Sequence, residues 1–159
     1  MMINNQEEKI CMIYSYDNAD LLPTNLEKMI YYALEDLVEN KGVTCFLTGN
    51  SGMFDAQANT AIYILKKRFP HVRLHLILPY KTPRYFYIRN SSSGLYDDII
   101  FSINEMPEPR EVIRRNNEFM VTNSNCLLTF LHPTDRFSSV YETYCYAQKL
   151  KQDIFHLRP

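Results

Sequence analysis

Apolar residues fall along this chain in two rhythms that take turns. Lys9 to Tyr14 is a short β-prone run, after which Leu26, Met29, Ile30, Ala33, Leu34, Leu37 and Val38 recur at the i, i+3, i+4 spacing of a helix. Asn25 or Thr24 is placed to cap that helix, Pro23 sits just ahead of it, and Gly42 follows its end. Val43 to Leu47 predicts a second strand. Phe54, Ala58, Ala61, Ile62, Leu65 and Phe69 then mark one face of a second helix, with Lys66, Lys67 and Arg68 where the helix dipole favours cations and Pro70 as its stop. Leu74 to Leu78 and Asp98 to Ile103 predict the third and fourth strands, and Pro107-Glu108-Pro109 opens a helix running to about Val121. Cys126 to Leu131 is the fifth strand, Ser139 to Leu150 the last helix and Ile154 to Leu157 the closing strand. Between these elements the longest irregular stretch is Pro79 to Leu95.

Strands that alternate with helices predict an α/β chain. The expected architecture is a three-layer, Rossmann-like, doubly wound sheet, mostly parallel, forming a single domain over residues 1–159 without internal repeats. In such sheets ligands sit beyond the carboxyl ends of the strands. The candidate loops are therefore Ser15 to Asn18, Gly49 to Gly52, Pro79 to Tyr87, Asn104 to Met106 and His132 to Ser139. One of them stands out, because Thr48-Gly49-Asn50-Ser51-Gly52-Met53-Phe54-Asp55 holds two of the chain's four glycines at a strand-to-helix turn. Such a turn aims backbone N–H groups and a helix N-terminus at one point, a usual way to hold a phosphate or carboxylate. A small anionic ligand is the expected partner.

Composition narrows this further. At 46% hydrophobic residues the chain has enough apolar side chains for a real core, and a formal net charge of −1 gives no long-range field for nucleic acid or anionic lipid. Cys11, Cys45, Cys126 and Cys145 are far apart and form no Cys-x-x-Cys pair, which predicts reduced thiols in a cytoplasmic protein. Met1 to Lys9 is polar and acidic, unlike a signal peptide, and no apolar run is long enough to span a bilayer. His71, His75, His132 and His156 are dispersed, so neither a metal nor a cofactor is expected. Twelve tyrosines leave room for a homo-oligomer or a protein partner, since tyrosine is enriched at interfaces.

Three segments carry a resemblance. Phe46-Leu47-Thr48-Gly49-Asn50-Ser51-Gly52-Met53-Phe54-Asp55, then Leu65-Lys66-Lys67-Arg68-Phe69-Pro70, then Leu76-Ile77-Leu78-Pro79-Tyr80 are similar to the hallmark segment of an uncharacterised bacterial branch of the SLOG superfamily. Tyr96-Asp97, Glu118-Phe119-Met120-Val121, Ser124-Asn125-Cys126-Leu127-Leu128 and Tyr146-Ala147-Gln148-Lys149 resemble its later signatures in the same order. The resemblance implies a Rossmann-like fold that binds nucleotides or nucleotide-derived ligands. It extends to a superfamily that includes the DNA-binding DprA proteins and the LOG phosphoribohydrolases, which release cytokinin bases.

The departures shape the functional expectation. Relatives carry a Gly-Gly-Thr turn before the last helix, where this chain has Ser138-Ser139-Val140, and the family's Arg-Asn pair falls on Asn116-Asn117, with Arg115 one residue early. One residue is about 100° around a helix, so Arg115 does not simply inherit the family role. The first loop reads Ser15-Tyr16-Asp17-Asn18 in place of a Gly-His-Arg run, and Glu142 is the nearby carboxylate on the last helix. The expectation is a non-catalytic binding module. Its candidate ligand-binding residues are Ser15, Gly49, Asn50, Ser51, Gly52, Asp55, Tyr80, Arg115, Asn116, Ser138, Ser139 and Glu142. The alternatives are a LOG-type nucleoside-monophosphate phosphoribohydrolase and a degenerate fold retained for a protein partner. Asp55 serves either the ligand loop or the helix dipole, Ser138 and Ser139 read first as helix caps, and Glu142 reads first as a solvated helix carboxylate. The aromatic and basic segment Tyr80, Arg84, Tyr85, Tyr87 and Arg89 is a candidate lid, with at least one tyrosine facing the ligand, or a loop anchor or dimer contact. Ser91-Ser92-Ser93-Gly94 is the expected flexible tip.

Overall fold

A computed structural model describes residues 8–91 and 94–158. Among them, six strands alternate with five helices: β1 (Ile10–Ile13), α1 (Leu26–Lys41), β2 (Cys45–Thr48), α2 (Met53–Arg68), β3 (Arg73–Leu78), α3 (Pro83–Ser91), β4 (Asp98–Phe101), α4 (Val112–Thr122), β5 (Cys126–Thr129), α5 (Ser139–Lys149) and β6 (Asp153–His156). The strands form one sheet in the order β4-β3-β2-β1-β5-β6, and each neighbouring pair is parallel. The sheet is thus parallel throughout. The chain runs outward from β1 to β4 and returns beside β1 with β5, so strand order reverses between β1 and β5.

Period-two alternation along the strands sorts side chains onto two faces. Cys11, Ile13, Phe46, Leu74 and Leu128 pack with α1 and α2, through residues such as Ile30, Leu34, Ala58 and Ile62. On the other face, Ile10, Met12, Cys45, Leu47 and Leu127 pack with Met120 and Val121 of α4 and Ala147 of α5. Every residue of β1, β2 and β5 is buried, as expected of strands covered on both sides. Cys11, Cys45 and Cys126 are buried free thiols; burial, with Cys126 opposite, pushes the Cys11 thiol upward.

The structure corrects several sequence expectations. Pro79 to Leu95 is not irregular, because it contains α3, which begins with Pro83 at a position where a missing N–H costs nothing. Ile88 is its one fully buried apolar side chain among those described, so periodicity had little to report. The helix expected from Pro107 is a short 3-10 turn, Pro109–Glu111, leading into α4. A second 3-10 turn, Ala19–Leu21, follows β1, its N-terminus capped by the Asn18 side chain. The Asn25 side chain does not cap α1: its backbone (φ −99°, ψ 28°) is not the extended conformation a capping side chain requires. Gly42 does end α1, with φ 74° and its N–H on Leu37 C=O. Of the expected serine tip, Ser92 and Ser93 lie outside the described residues, as do Met1 to Glu7. No helix among the described residues is long and apolar enough to cross a membrane.

Candidate functional site

The glycine turn between β2 and α2 is held by its own carboxylate. Ser51 N–H donates to Asp55 Oδ2 at 3.2 Å, and the Ser51 hydroxyl lies between Asp55 Oδ2 at 3.1 Å and Asp17 Oδ1 at 2.9 Å. Asp55 is only 5% exposed. Burial raises its pKa to about 6, although hydrogen bonds from Ser51 and the Gly49 backbone favour the ionised form and limit the shift. Both glycines answer to close approach by the chain itself. A Cβ on Gly49 would sit 2.9 Å from Asp55 Oδ2, and one on Gly52 would sit 2.7 Å from Asp17 Cα and 2.9 Å from its carbonyl oxygen. Gly52 is extended (φ −164°), so contact rather than backbone conformation selects glycine there. Asn59 Nδ2 supports the turn from behind, donating to Gly49 C=O at 3.2 Å and Tyr96 Oη at 3.0 Å.

In front of this turn lies a cavity of about 320 Å³, at the carboxyl ends of β1, β2 and β3. Tyr14 and Asp17 line it from the β1 side, Gly49, Asn50 and Ser51 from the turn, and Tyr80 from beyond β3. Arg84 comes from α3 and donates to Asn50 C=O at 2.9 Å. Asn116 and Asn117 of α4 and Ser139 of α5 complete the wall. Tyr14 Oη and Ser139 Oγ are 2.8 Å apart, and burial raises the Tyr14 pKa against that bond. Asn116 Oδ1 accepts the Ser102 hydroxyl. Arg84 and Asp17 are the two charged side chains on the cavity wall.

The turn ahead of α5 is built on Asp135. Phe137 N–H and Ser138 N–H each donate to Asp135 Oδ1 at 3.0 Å, while the hydroxyls of Tyr16 (2.6 Å) and Ser138 donate to Oδ2. Desolvation alone would raise this carboxyl; the four donors, led by the Ser138 and Tyr16 hydroxyls, hold it well below the usual range. The same bond pushes Tyr16 in the other direction, to about 12, with burial as the larger cause. Ser138 Oγ also accepts Tyr141 N–H at 3.2 Å, so Ser138 is the N-cap of α5.

The sequence candidates therefore separate into groups. Gly49, Asn50, Ser51, Tyr80, Asn116 and Ser139 line the 320 Å³ cavity, whereas Gly52 and Asp55 shape the turn behind it. Ser15 is buried and donates to Phe130 C=O at 2.6 Å. Arg115 is exposed, 3.9 Å from Glu111, and does not line the cavity; the 100° step from Arg115 to Asn116 brings the asparagine inward instead. Glu142 lines a neighbouring cavity of about 360 Å³ between α4 and α5, with Arg114 and Lys149. Tyr85 packs edge-on against Phe101, and Tyr87 is 73% exposed. Among the described residues no group of three His, Cys, Asp or Glu is placed to hold a metal. Asp17, Arg84 and Asp135 fall in the loops that the sequence marks as candidates, Arg84 also in the candidate lid, and Asn117 enters as the counterpart of the family asparagine; Tyr14 has no such marking. The Asp-x-x-Ser spacing of Asp135 and Ser138 just ahead of a helix is a further local signal for Asp135.

No family model matches the sequence, and no curated protein matches it significantly. Among solved structures, DNA processing protein A (DprA) from Streptococcus pneumoniae superposes on 94% of this chain and 50% of its own, with a TM-score of 0.64 at 11% identity. That likeness defines the class: a Rossmann-like α/β fold of the kind found in DprA. Two structures of S. aureus TarJ, one in complex with NADPH, overlap at a TM-score of 0.48 with 16% and 13% identity; they cover 84% and 89% of this chain, and 43% and 47% of theirs. An overlap at that level says nothing about the ligand of this chain. The chain spans about half the length of these solved proteins.

Proposed function

We propose that the chain is a SLOG-like module that binds a nucleotide or nucleotide-derived phosphorylated small molecule, without turnover, in the cavity at the carboxyl ends of β1, β2 and β3. One observation carries this reading: a ring (Tyr80), a carboxylate (Asp17) and a guanidinium (Arg84) meet in one concave site at the end of the sheet where such folds take ligands. Asp17 suits ribose hydroxyls and Arg84 suits a phosphate. Ser51 N–H and the Gly49 backbone already serve Asp55, which favours Arg84 over those amides as the partner of the ligand's anionic group. The binding reading is preferred to a phosphoribohydrolase because Glu142 lines the neighbouring cavity.

A calorimetric panel of nucleosides, nucleoside monophosphates and dinucleotides tests this. Arg84→Ala should weaken phosphorylated ligands about tenfold, the loss expected for one charge-assisted hydrogen bond, and leave nucleosides unchanged. Asp17→Ala should weaken both. No free base should appear on incubation with nucleoside monophosphates. A panel in which nothing binds, or in which Arg84→Ala binds normally, rejects the assignment.

A further inference from the structure

A larger cavity than the one in front of the glycine turn lies elsewhere. It measures about 700 Å³ and lies on the other flank of β5, where the carboxyl ends of β5 and β6 meet α5. Its wall includes Arg136, Arg158, His132 and His156, with the rings of Phe130, Tyr141 and Tyr144, and no Asp or Glu among the described residues lines it. A site with cations, rings and no opposing acid has a definite chemical preference.

Arg136 is prepared for a ligand. Its guanidinium lies 5.4 Å from the centre of the Tyr141 ring, and its Nη1 donates to Pro133 C=O at 3.1 Å and Asp135 C=O at 2.7 Å. Carbonyl oxygens fix the position of a cation without cancelling its charge. The nearest carboxylate in sequence, Asp135, is engaged by Tyr16, Phe137 and Ser138. Neither Arg136 nor Arg158 makes an ion pair among the described residues. Beside Tyr141, with ring centroids 6.2 Å apart, Tyr144 meets His156 edge-on at 5.5 Å, and its hydroxyl accepts Gln148 Nε2 at 2.7 Å, which holds the ring in place.

We infer that this groove is a second binding site, for a ring-bearing phosphate of nucleoside-monophosphate size. The ring packs against Tyr141 and Tyr144, and the phosphate takes the charge of Arg136 and Arg158. The inference does not rest on the β1–β3 cavity, which shares no lining residue with this groove.

AMP titrated into 15N-labelled protein tests it, with amide shifts separating the two sites. AMP should shift Arg136, Tyr141, Tyr144 and Arg158 saturably. Arg158→Glu, a change at an exposed side chain, should weaken that response about tenfold or more, while Gly49 to Ser51 respond as in the unmodified chain. Tyr144→Leu should weaken AMP and leave inorganic phosphate unaffected. Absence of shifts at Arg136 and Arg158, or a response that survives Arg158→Glu, overturns the proposal. Equal affinity for phosphate alone, or preference for an acidic peptide without rings, would show a basic patch and not a ring-binding site.

Discussion

Two turns lead into helices at the carboxyl end of this sheet, and each is closed by an aspartate of its own sequence. In the β2–α2 turn, Asp55 reaches back from inside the helix to Ser51; in the β5–α5 turn, Asp135 reaches forward to Phe137 and Ser138. The roles match, yet the two carboxyls are perturbed in opposite directions. Asp55 is buried and raised to about 6, whereas Asp135 is partly open, has two hydroxyls and two N–H groups on it, and is held well below the usual range. The lesson concerns balance: a carboxylate beside backbone amides is stabilised only when its donors outweigh the water it has lost. Asp55 is a strained device and Asp135 a satisfied one.

The largest effect should come from breaking the packing that brings Asp17 against the first turn. Gly52→Val places methyl groups where a Cβ already meets the Asp17 backbone at 2.7 Å, and backbone cannot swing aside as a side chain does. Urea denaturation should show a loss of about 3 kcal/mol, the upper range for overpacking. Any loss of ligand in this variant then reports displacement of the β1 loop together with the turn. A stability equal to the unmodified chain would mean that the two loops are not in contact.

The opposite pKa shifts give the next test, through pH. The folded pKa of Asp55 lies above its unfolded value, so the stability linked to it is present below about pH 4 and is lost as pH rises to about 6. Two units correspond to about 3 kcal/mol. The folded pKa of Asp135 lies below its unfolded value, so its contribution is present above about pH 4 and fades as pH falls further. Asp55→Asn should flatten the loss of stability between pH 4 and 6, and Asp135→Asn should remove part of the acid-side loss. Denaturation curves across pH 3 to 7 in which the two variants behave alike would erase the distinction.

How far the sequence foretold this site depended on which interactions were local. Helical periodicity runs through Leu26 to Val38 and Phe54 to Leu65, and together with the short apolar strand runs it placed the alternating elements and the loops at the strand ends. The glycines of the second turn were visible too, but their reason was not. Gly52 faces Asp17, 35 positions away, a contact that only the β1–β2 pairing creates. Arg84 was legible as part of an aromatic and basic segment, but not its bond to Asn50, because the helix that carries it lacks an apolar stripe to fix its facing. Tyr14 reads as the end of a strand until α5 brings Ser139 to its hydroxyl. Pairwise contacts across more than a hundred residues leave no trace in spacing.

The smallest effect is also the most discriminating, because its sign depends on Asp55. Gly49→Ala adds a Cβ at 2.9 Å from Asp55 Oδ2, so the carboxylate must shift and its hydrogen bond from Ser51 must lengthen. At pH 7 that should cost about 1 kcal/mol. Gly49 does not have the positive φ that an alanine would resist; of the described glycines, Gly42 and Gly94 have it. Once the carboxylate is gone, alanine has no contact to strain and loses less chain entropy on folding. In an Asp55→Ala background, Gly49→Ala should therefore be neutral or stabilise by about 0.5 kcal/mol. A double-mutant cycle of Gly49→Ala and Asp55→Ala measured by urea denaturation reads this coupling directly. Additive effects would mean that glycine is present at this position for a reason other than its own aspartate, such as close approach of a ligand to the backbone.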